Sequence, residues 1–361
     1  MEQHKYIMLA KQLRDDILEG KYKEGEQLPS ENALTQQFGF SRQTVRQAMR
    51  RLEMEGLAER LQGSGTFVIY KKEAPRASSM TVGVISTYLD DYIFPSIIRG
   101  IGKTLTKNGY SMQLAFTLNR VENEKKVLED MLERKVDGVI AEPTKSGLPN
   151  PNGSLYKLFR SSGIPLIFFN AYYPELLFPH VALDDHAAGK TATQRLLKSG
   201  HTRIAGIFQS DDIQGHLRYA GYLEALTENG ITMDSRRLLW FATEDIPNLF
   251  SDVKRAEERL KDATAVLCYN DQIAVKLLGY FEKTGARVPE DFSIASIDNS
   301  RLAEFTSPPL TSVNHPKEYL GKVVAENLLK MIDNHGFDAN VDFEAKLVER
   351  DSIMDIDKEL Q

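Results

Sequence analysis

Two helical patterns follow each other near the start of the chain. The segment SENALTQQFG places Ser30 where a helix N-cap is expected and Gly39 where the helix should end. The segment SRQTVRQAMRRLEMEG starts at Ser41 and repeats Val45 and Met49 with the spacing of a buried helical stripe. The pattern therefore predicts two helices joined by a tight turn.

A short hairpin pattern comes next, in LAERLQGSGTFV. Two apolar stretches flank Gly63-Ser64-Gly65, a composition typical of a tight turn, and Gln62 stands at its tip. Two helices followed by a hairpin predict a winged helix-turn-helix, whose second helix enters a DNA major groove.

The rest of the chain alternates apolar, β-rich runs with amphipathic helical stretches, many of which end in glycine. Near-continuous apolar strands separated by helices indicate parallel sheets covered on both faces. The predicted fold class is α/β: a small α+β winged helix-turn-helix followed by a two-lobed, doubly wound parallel-sheet domain. The predicted strand regions are 81–87, 111–117, 137–144, 164–170, 180–185, 203–210, 265–271 and 292–298.

The polar stretch KKEAPRASS separates these two parts and carries Pro75, which is typical of a linker. We therefore expect a DNA-binding domain over residues 1–70, a linker over 71–79 and an effector-binding domain over 80–361.

Charge changes this picture only locally. The 361 residues carry a net charge of -6, which gives no sign of nucleic acid for the whole chain, and residues 1–70 hold ten basic and ten acidic residues. Between 39 and 62, however, five arginines meet three glutamates. Since phosphate attraction depends on local clusters, the second helix remains the predicted DNA-reading element.

Several classes of protein are disfavoured by what the sequence lacks. Cys268 is the only cysteine, so neither an intrachain disulfide nor a cysteine-based metal motif is expected. The first residues lack the apolar core of a signal peptide, no run of about 18 apolar residues occurs, and motifs of common enzymes are missing. We expect a cytoplasmic, non-enzymatic protein that uses no metal and no cofactor.

Side-chain chemistry suggests which head residues meet DNA. Arginine reads guanine and glutamine reads adenine, while serine or threonine hydroxyls and a helix N-terminus suit phosphates. The segment LPSENALTQQFGFSRQTVRQAMRRLEMEGL with QGSGTFV resembles the GntR-type winged helix over nearly all of residues 3–70. That resemblance implies contacts from the start of the second helix, the wing tip and an early lysine. The predicted DNA-binding residues are Lys5, Ser41, Arg42, Gln43, Thr44, Arg46, Arg50, Gln62, Gly63 and Ser64.

Polar residues of the large domain cluster where the predicted strands end, which is where ligands bind in open α/β sheets. Glu142 and Lys145 follow one strand, Asp90 and Asp91 follow another, and the nearby aromatics Tyr92 and Phe94 could pack on a sugar ring. Aspartate and asparagine at such positions also cap helices, so a capping role stays open for Asp184, Asp185 and Asp271.

The order and spacing of DGVIAEPT, IPLIFFN, GHLRYAGYLEAL, YNDQIAVKLL and VPEDFSIASIDNS are similar to the LacI/GalR-type effector domain. This domain resembles periplasmic sugar-binding proteins, in which two lobes close on a ligand. The resemblance implies sugar contacts from Asn170, Arg218, Asn270, Asp298 and His315. The residues Ser296, Ile297 and Asn299 depart from the family pattern, which leaves a role for Asn299 in doubt.

A GntR-type head on a LacI-like domain resembles the L-arabinose-responsive repressors. This implies a homodimer that binds operator DNA and releases it when L-arabinose binds. The residues themselves support only a small sugar or polyol, and three alternatives stay open. The ligand could be a phosphorylated sugar or a purine, and less favoured functions are a sugar-binding protein of transport and an enzyme.

Overall fold

The computed structural model describes residues 2–70, 78–88, 92–334 and 336–356. The first of these stretches forms a small domain, which we call the head. Leucine and valine side chains of all three helices pack with Val68 of the hairpin in one hydrophobic core. The elements of the head are α1 (Glu2–Leu18), α2 (Glu31–Phe38), α3 (Arg42–Met54), β1 (Ala58–Leu61) and β2 (Gly65–Val68).

The helix ends in the head form where the sequence predicted them. The hydroxyl of Ser30 accepts a hydrogen bond from Ala33 N at 3.2 Å, and that of Ser41 accepts one from Thr44 N at 3.1 Å. Gly39 ends α2 with a φ of 66°, a conformation that costs glycine little because it has no Cβ. These caps fix the angle at which α3 leaves the turn.

The N-lobe is built on a six-stranded parallel sheet with the order β13-β7-β6-β5-β3-β4. Helices cover both of its faces and bury an apolar core on each side. The strands are β3 (Thr81–Ser86), β4 (Ser111–Phe116), β5 (Gly138–Ala141), β6 (Leu166–Asn170), β7 (His180–Leu183) and β13 (Val341–Phe343). The helices are α4 (Phe94–Lys107), α5 (Val121–Glu133), α6 (Gly153–Ser161) and α12 (Lys317–Asp333).

The C-lobe repeats this design with the strand order β14-β12-β11-β10-β8-β9, in which only the pair β12–β14 is antiparallel. Its strands are β8 (Ile204–Gln209), β9 (Leu238–Phe241), β10 (Ala265–Cys268), β11 (Ser293–Asp298), β12 (Thr311–Asn314) and β14 (Lys346–Val348). Its helices are α7 (Asp185–Lys198), α8 (Ile213–Glu228), α9 (Val253–Leu260), α10 (Asp271–Thr284) and α11 (Arg301–Phe305).

Helices α7 and α8 of the C-lobe lie unusually close together. A Cβ added to Gly189 would come 2.1 Å from the carbonyl oxygen of Arg218, and one added to Gly221 would come 2.0 Å from that of His186. Only glycine fits at these two positions. The close crossing fixes the place of Arg218 beneath the carboxyl ends of the strands.

The chain passes between the lobes three times: after β7, after β12 and between β13 and β14. The carboxyl ends of both sheets face each other across a cleft beside these crossings. No helix in the described parts of the chain is long and apolar enough to cross a membrane.

The predicted fold class is confirmed. Eight strands of the two lobes lie within the predicted regions, whereas β9, β12, β13 and β14 were not predicted as strands. Most of the predicted linker 71–79 lies outside the described residues, as do Asp90 and Asp91.

Candidate effector cleft and nucleic-acid interface

Helix α3 presents a polar, basic face away from the core of the head. Its buried side carries Val45, Ala48 and Leu52. Its exposed side carries four of the residues predicted to meet DNA, namely Arg42, Gln43, Arg46 and Arg50. Since the apolar stripe anchors the helix, these side chains point together into solvent.

Glu31 connects this face to the hairpin. Its carboxylate accepts a hydrogen bond from Arg46 Nε at 2.8 Å and lies 3.5 Å from Arg60 Nη1 of β1. Lys5 of α1 lies at the edge of the same surface, with its Nζ 5.8 Å from the centre of the Phe40 ring. Arg46 of α3 and Arg60 of the hairpin therefore share one carboxylate, and Lys5 lies beside the turn that precedes α3.

The hairpin carries Gln62, Gly63 and Ser64 at its exposed tip. Gln27 supports this tip, because its side-chain Nε2 donates to the carbonyl oxygen of Ser64 at 2.7 Å. Thr44 is different: it is 3% exposed, and its hydroxyl lies 2.8 Å from that of Ser41. All ten predicted DNA-binding residues are among the residues whose burial is described, and Thr44 is the only one of them that is buried.

A cavity of about 300 Å³ lies between the two lobes. Seven of the nine residues predicted to contact the effector line it: Tyr92, Phe94, Glu142, Lys145, Asn170, Asn270 and Asp298. Arg218 and His315 lie behind this lining and bond to residues that form it. The parallel sheets bring these residues together because both end their strands at the cleft.

Arg218 anchors the C-lobe side of the cavity. Its guanidinium donates to Asp185 at 2.7 Å, to the carbonyl oxygen of Tyr269 at 2.7 Å and to Asp298 at 3.3 Å. Burial alone would lower the pKa of Arg218, but the carboxylates of Asp185 and Asp298 raise it above its usual value. Arg218 is thus a fixed charge that holds Asp298 at the cavity wall.

Glu142 is the corresponding buried acid of the N-lobe. Its carboxylate accepts hydrogen bonds from Thr87 N at 2.7 Å, Thr87 Oγ1 at 2.6 Å, Ser86 Oγ at 3.1 Å and Asn170 Nδ2 at 2.9 Å. Burial raises the pKa of Glu142 to about 7, although these bonds oppose the shift. The group can therefore change its protonation state near neutral pH.

His315 extends this network from the C-lobe. Its Nε2 lies 3.0 Å from Asn170 Oδ1, and its Nδ1 is buried without a hydrogen-bond partner among the described residues. Burial lowers the pKa of His315 to about 4, so the ring is neutral at pH 7. A neutral histidine and an amide can orient a hydroxyl group without adding charge.

Direct bonds join the two lobes across the mouth of the cleft. Lys145 Nζ lies 2.5 Å from Glu244 and 3.4 Å from Asp211. The hydroxyl of Ser146 donates to Asp212 at 2.6 Å, and on the other side of the cavity Tyr92 OH donates to Asp298 at 2.7 Å. These bonds define a closed arrangement of the lobes.

The possible helix caps divide into two kinds. The side chain of Asp184 accepts from Ala187 N and caps α7, whereas Asn270 caps α10 through Ile273 N and also lines the cavity. Asp271 is fully buried and accepts hydrogen bonds from Ser296 and Ser312. Burial raises the pKa of Asp271 to about 6, and its partners tie the start of α10 to β11 and β12.

Several residues of the cleft were not predicted. Asp211 and Asp212 line the cavity and immediately follow the strand β8. The rule that found the other candidates, polar residues at strand ends, would have found this pair as well. Asn119, which donates to Thr243 at 2.6 Å across the lobes, follows the end of β4 by three residues and would have been found by the same rule.

A winged helix-turn-helix with an arginine-bearing second helix and a two-lobed cleft lined by polar and aromatic side chains together define a transcription regulator of two domains. Residues 5–68 match the bacterial regulatory proteins of the gntR family, and residues 193–353 match the periplasmic binding protein-like domain. Among the described residues, no group of three or more His, Cys, Asp or Glu side chains is placed to hold a metal ion.

The chain is 38% identical to the arabinose metabolism transcriptional repressor of Geobacillus stearothermophilus, over 98% of both chains. It is 37% identical to the protein of the same name from Halalkalibacterium halodurans, over 96% of both. The crystal structure of the transcription regulator CcpA of Lactococcus lactis is similar over 77% of this chain and all of that one, with a TM-score of 0.67 and 31% identity. The chain belongs to the family of two-domain transcriptional repressors that these relatives represent, and the predicted resemblance is confirmed.

Proposed function

We propose that this protein represses genes of sugar utilisation and leaves its operator when L-arabinose binds between the lobes. The N-terminal half of α3 reads the major groove through Arg42, Gln43 and Arg46, while the wing tip and Lys5 contact the backbone of the duplex. Because the proposed partner is operator DNA, we expect the protein to act in the cytoplasm. The proposal includes no catalytic step.

The charge of the cleft is the observation that carries the choice of ligand. Of the described residues that line the cavity, four are acidic (Glu142, Asp211, Asp212 and Asp298) and one is basic. That base, Lys145, already pairs with Asp211 and Glu244, and Arg218 behind the lining pairs with two aspartates. A phosphate group would meet no unpaired cation and several carboxylates. The cleft therefore favours a neutral polyol over a phosphorylated sugar.

The nature of the lining supports a sugar. Carboxylates accept hydrogen bonds from sugar hydroxyls, amides both accept and donate, and Tyr92 and Phe94 offer apolar faces to a pyranose ring. A volume of about 300 Å³ is at the small end for ligand pockets and suits one monosaccharide. The name of the relatives, arabinose metabolism transcriptional repressor, supplies the choice of arabinose, and the resemblance to L-arabinose-responsive repressors supplies the L-form.

We place the head at residues 1–70, the linker at 71–79 and the effector domain at 80–361, and we propose that the effector domain forms a homodimer. Two-fold operators mirror two-fold proteins, so a dimer presents two α3 helices about one helical turn apart. Closure of the lobes on the sugar changes how the dimer presents its heads.

The proposal is tested by selecting operator fragments from genomic DNA with the purified full chain and measuring the affinity for the best fragment. The measurement is repeated with saturating L-arabinose, D-ribose, D-ribose 5-phosphate or hypoxanthine. Release by L-arabinose alone supports the proposal. Release by the phosphorylated sugar or the purine would replace the ligand, and failure to select any sequence would remove the repressor function.

A further inference from the structure

The head makes a direct contact with the N-lobe at α6. Arg160 Nη1 donates to the backbone carbonyl oxygen of Glu55 at 2.5 Å, and Glu55 is the C-cap residue of α3. The Glu55 carboxylate itself bonds to Arg14 of α1 and to Arg51 of α3. Arg160 therefore holds the end of the predicted DNA-reading helix at the point where that helix is tied to the rest of the head.

Two further contacts make this a surface rather than a single bond. A Cβ added to Gly56 would lie 3.5 Å from Lys157 Cβ, and Lys157 lies three residues before Arg160, on the same face of α6. The hydroxyl of Tyr70, the last described residue of the head, lies 3.6 Å from the position of a Cβ at Gly163. The head thus rests on the C-terminal half of α6 and the loop after it.

Arg160 is fixed on the N-lobe side as well. Its Nη2 donates to the carbonyl oxygen of Leu177 at 3.0 Å, and its guanidinium carbon lies 4.0 Å from the centre of the Phe178 ring. The side chain is therefore positioned by the lobe and presents its Nη1 to the head. A movement of α6 relative to the head would break the bond to Glu55.

The other end of α6 is connected to the cleft through Glu124 of α5, a fully buried acid. Its carboxylate accepts hydrogen bonds from Tyr156 OH at 2.8 Å and Asn152 Nδ2 at 2.8 Å, both at the start of α6. The same carboxylate accepts from the backbone N of Thr144 at 3.2 Å. Thr144 directly precedes Lys145, which bonds to the other lobe.

A continuous series of contacts therefore leads from the mouth of the cleft to the head. Lys145 and Ser146 meet the C-lobe, Thr144 meets Glu124, and Glu124 holds the start of α6. Tyr156 and Arg160 are four residues apart, about one helical turn or 6 Å along α6. When the lobes separate, the side chains of Lys145 and Ser146 lose their partners in the C-lobe, and this change can reach α6 through Thr144 and Glu124.

We propose that the Arg160 surface of the N-lobe docks the head when the cleft is closed, and that this docking, and not the linker alone, takes the head away from the operator. The inference rests on the proposed function, since it explains how sugar binding releases DNA. Closure must favour the docked head over the free one, and by linkage a docked head must then favour the sugar-bound cleft.

The test uses the full chain with Arg160→Met, which keeps an apolar stem over Phe178 and removes the donor to Glu55. The operator Kd is measured without and with saturating L-arabinose, and the sugar Kd is measured by calorimetry on the free protein. We expect the sugar-dependent change in operator Kd to fall at least ten-fold, while operator affinity without sugar stays within three-fold or increases. The matched control is Arg134→Met, an exposed arginine that pairs with Asp130 on its own helix.

Tyr156→Phe is the second variant, because it keeps the ring in the core and removes only the bond to Glu124. We expect it to weaken the sugar response of the operator Kd at least three-fold, with sugar still bound, and it decides the matter if Arg160→Met does not fold. If folded Arg160→Met shows the same sugar-dependent change in operator Kd as the wild type, the docking inference is wrong and the proposed function stands. The same conclusion follows from Tyr156→Phe if Arg160→Met does not fold. A wild-type chain that binds operator and ignores every sugar removes both.

Discussion

Glu142→Gln is expected to change the pH dependence of stability. The carboxyl of Glu142 is buried, and its pKa in the folded protein is about 7, compared with 4.5 for the group in water. The folded protein therefore holds this proton more tightly than the unfolded chain does. The stability contributed by the protonated group is fully present below pH 4.5 and is lost as the pH rises through 7.

The size of the effect follows from the difference between the two pKa values. A shift from 4.5 to 7 corresponds to about 3 kcal/mol at about 1.4 kcal/mol for each unit. The glutamine variant has no titrating group at this position, so its unfolding free energy lacks this component. The difference in unfolding free energy between wild type and variant should therefore change by about 3 kcal/mol between pH 4.5 and pH 8.

The assay is urea denaturation of both proteins at half-unit steps of pH, without sugar. The matched control is Glu122→Gln, which removes the same charge from an exposed position in the first turn of α5 and leaves the buried acid in place. A difference for Glu142→Gln that is constant from pH 4.5 to pH 8 would refute the claim that burial controls the protonation of this acid.

Two other substitutions test packing and closure. Gly189→Ala should destabilise the protein by about 1–3 kcal/mol in thermal or urea unfolding, because the new Cβ would come 2.1 Å from a carbonyl oxygen of α8. Gly279→Ala on α10, where a Cβ meets nothing within 4 Å, should stabilise by about 0.5–1 kcal/mol, and equal effects would contradict the packing argument. Lys145→Met should weaken L-arabinose binding about five-fold in calorimetry, consistent with about 1 kcal/mol for a partly exposed ion pair across the lobes. Lys190→Met, which removes two ion pairs inside the C-lobe, should leave that affinity unchanged.

The head was predictable from sequence because its signals are local. Ser30, Ser41 and Gly39 act within one helical turn, and the structure places them at the helix ends where the pattern put them. The burial of Thr44 was not predicted, because its position in the sequence is that of a groove-facing residue while its hydroxyl turns back to Ser41.

The cleft was predictable in part. The rule that parallel strands end at one edge brought Glu142, Asn170 and Asp298 together correctly. It did not reveal that Arg218 donates its hydrogen bonds to carboxylates of the protein, because the position of Arg218 depends on the close crossing of α7 and α8. The strands β13 and β14 were missed because these three-residue segments acquire partners distant in sequence only in the folded sheet, and the four-residue strands β9 and β12 were missed as well.

The three crossings between the lobes have a consequence for how the protein unfolds. Each lobe is assembled from two separate stretches of sequence, since β13 completes the first sheet and β14 completes the second after a long return. Neither lobe can be obtained alone by a single cleavage of the chain. A truncation before residue 341 would remove an edge strand from both sheets. The effector domain should accordingly melt as a single cooperative transition, even though its outline suggests two independent bodies.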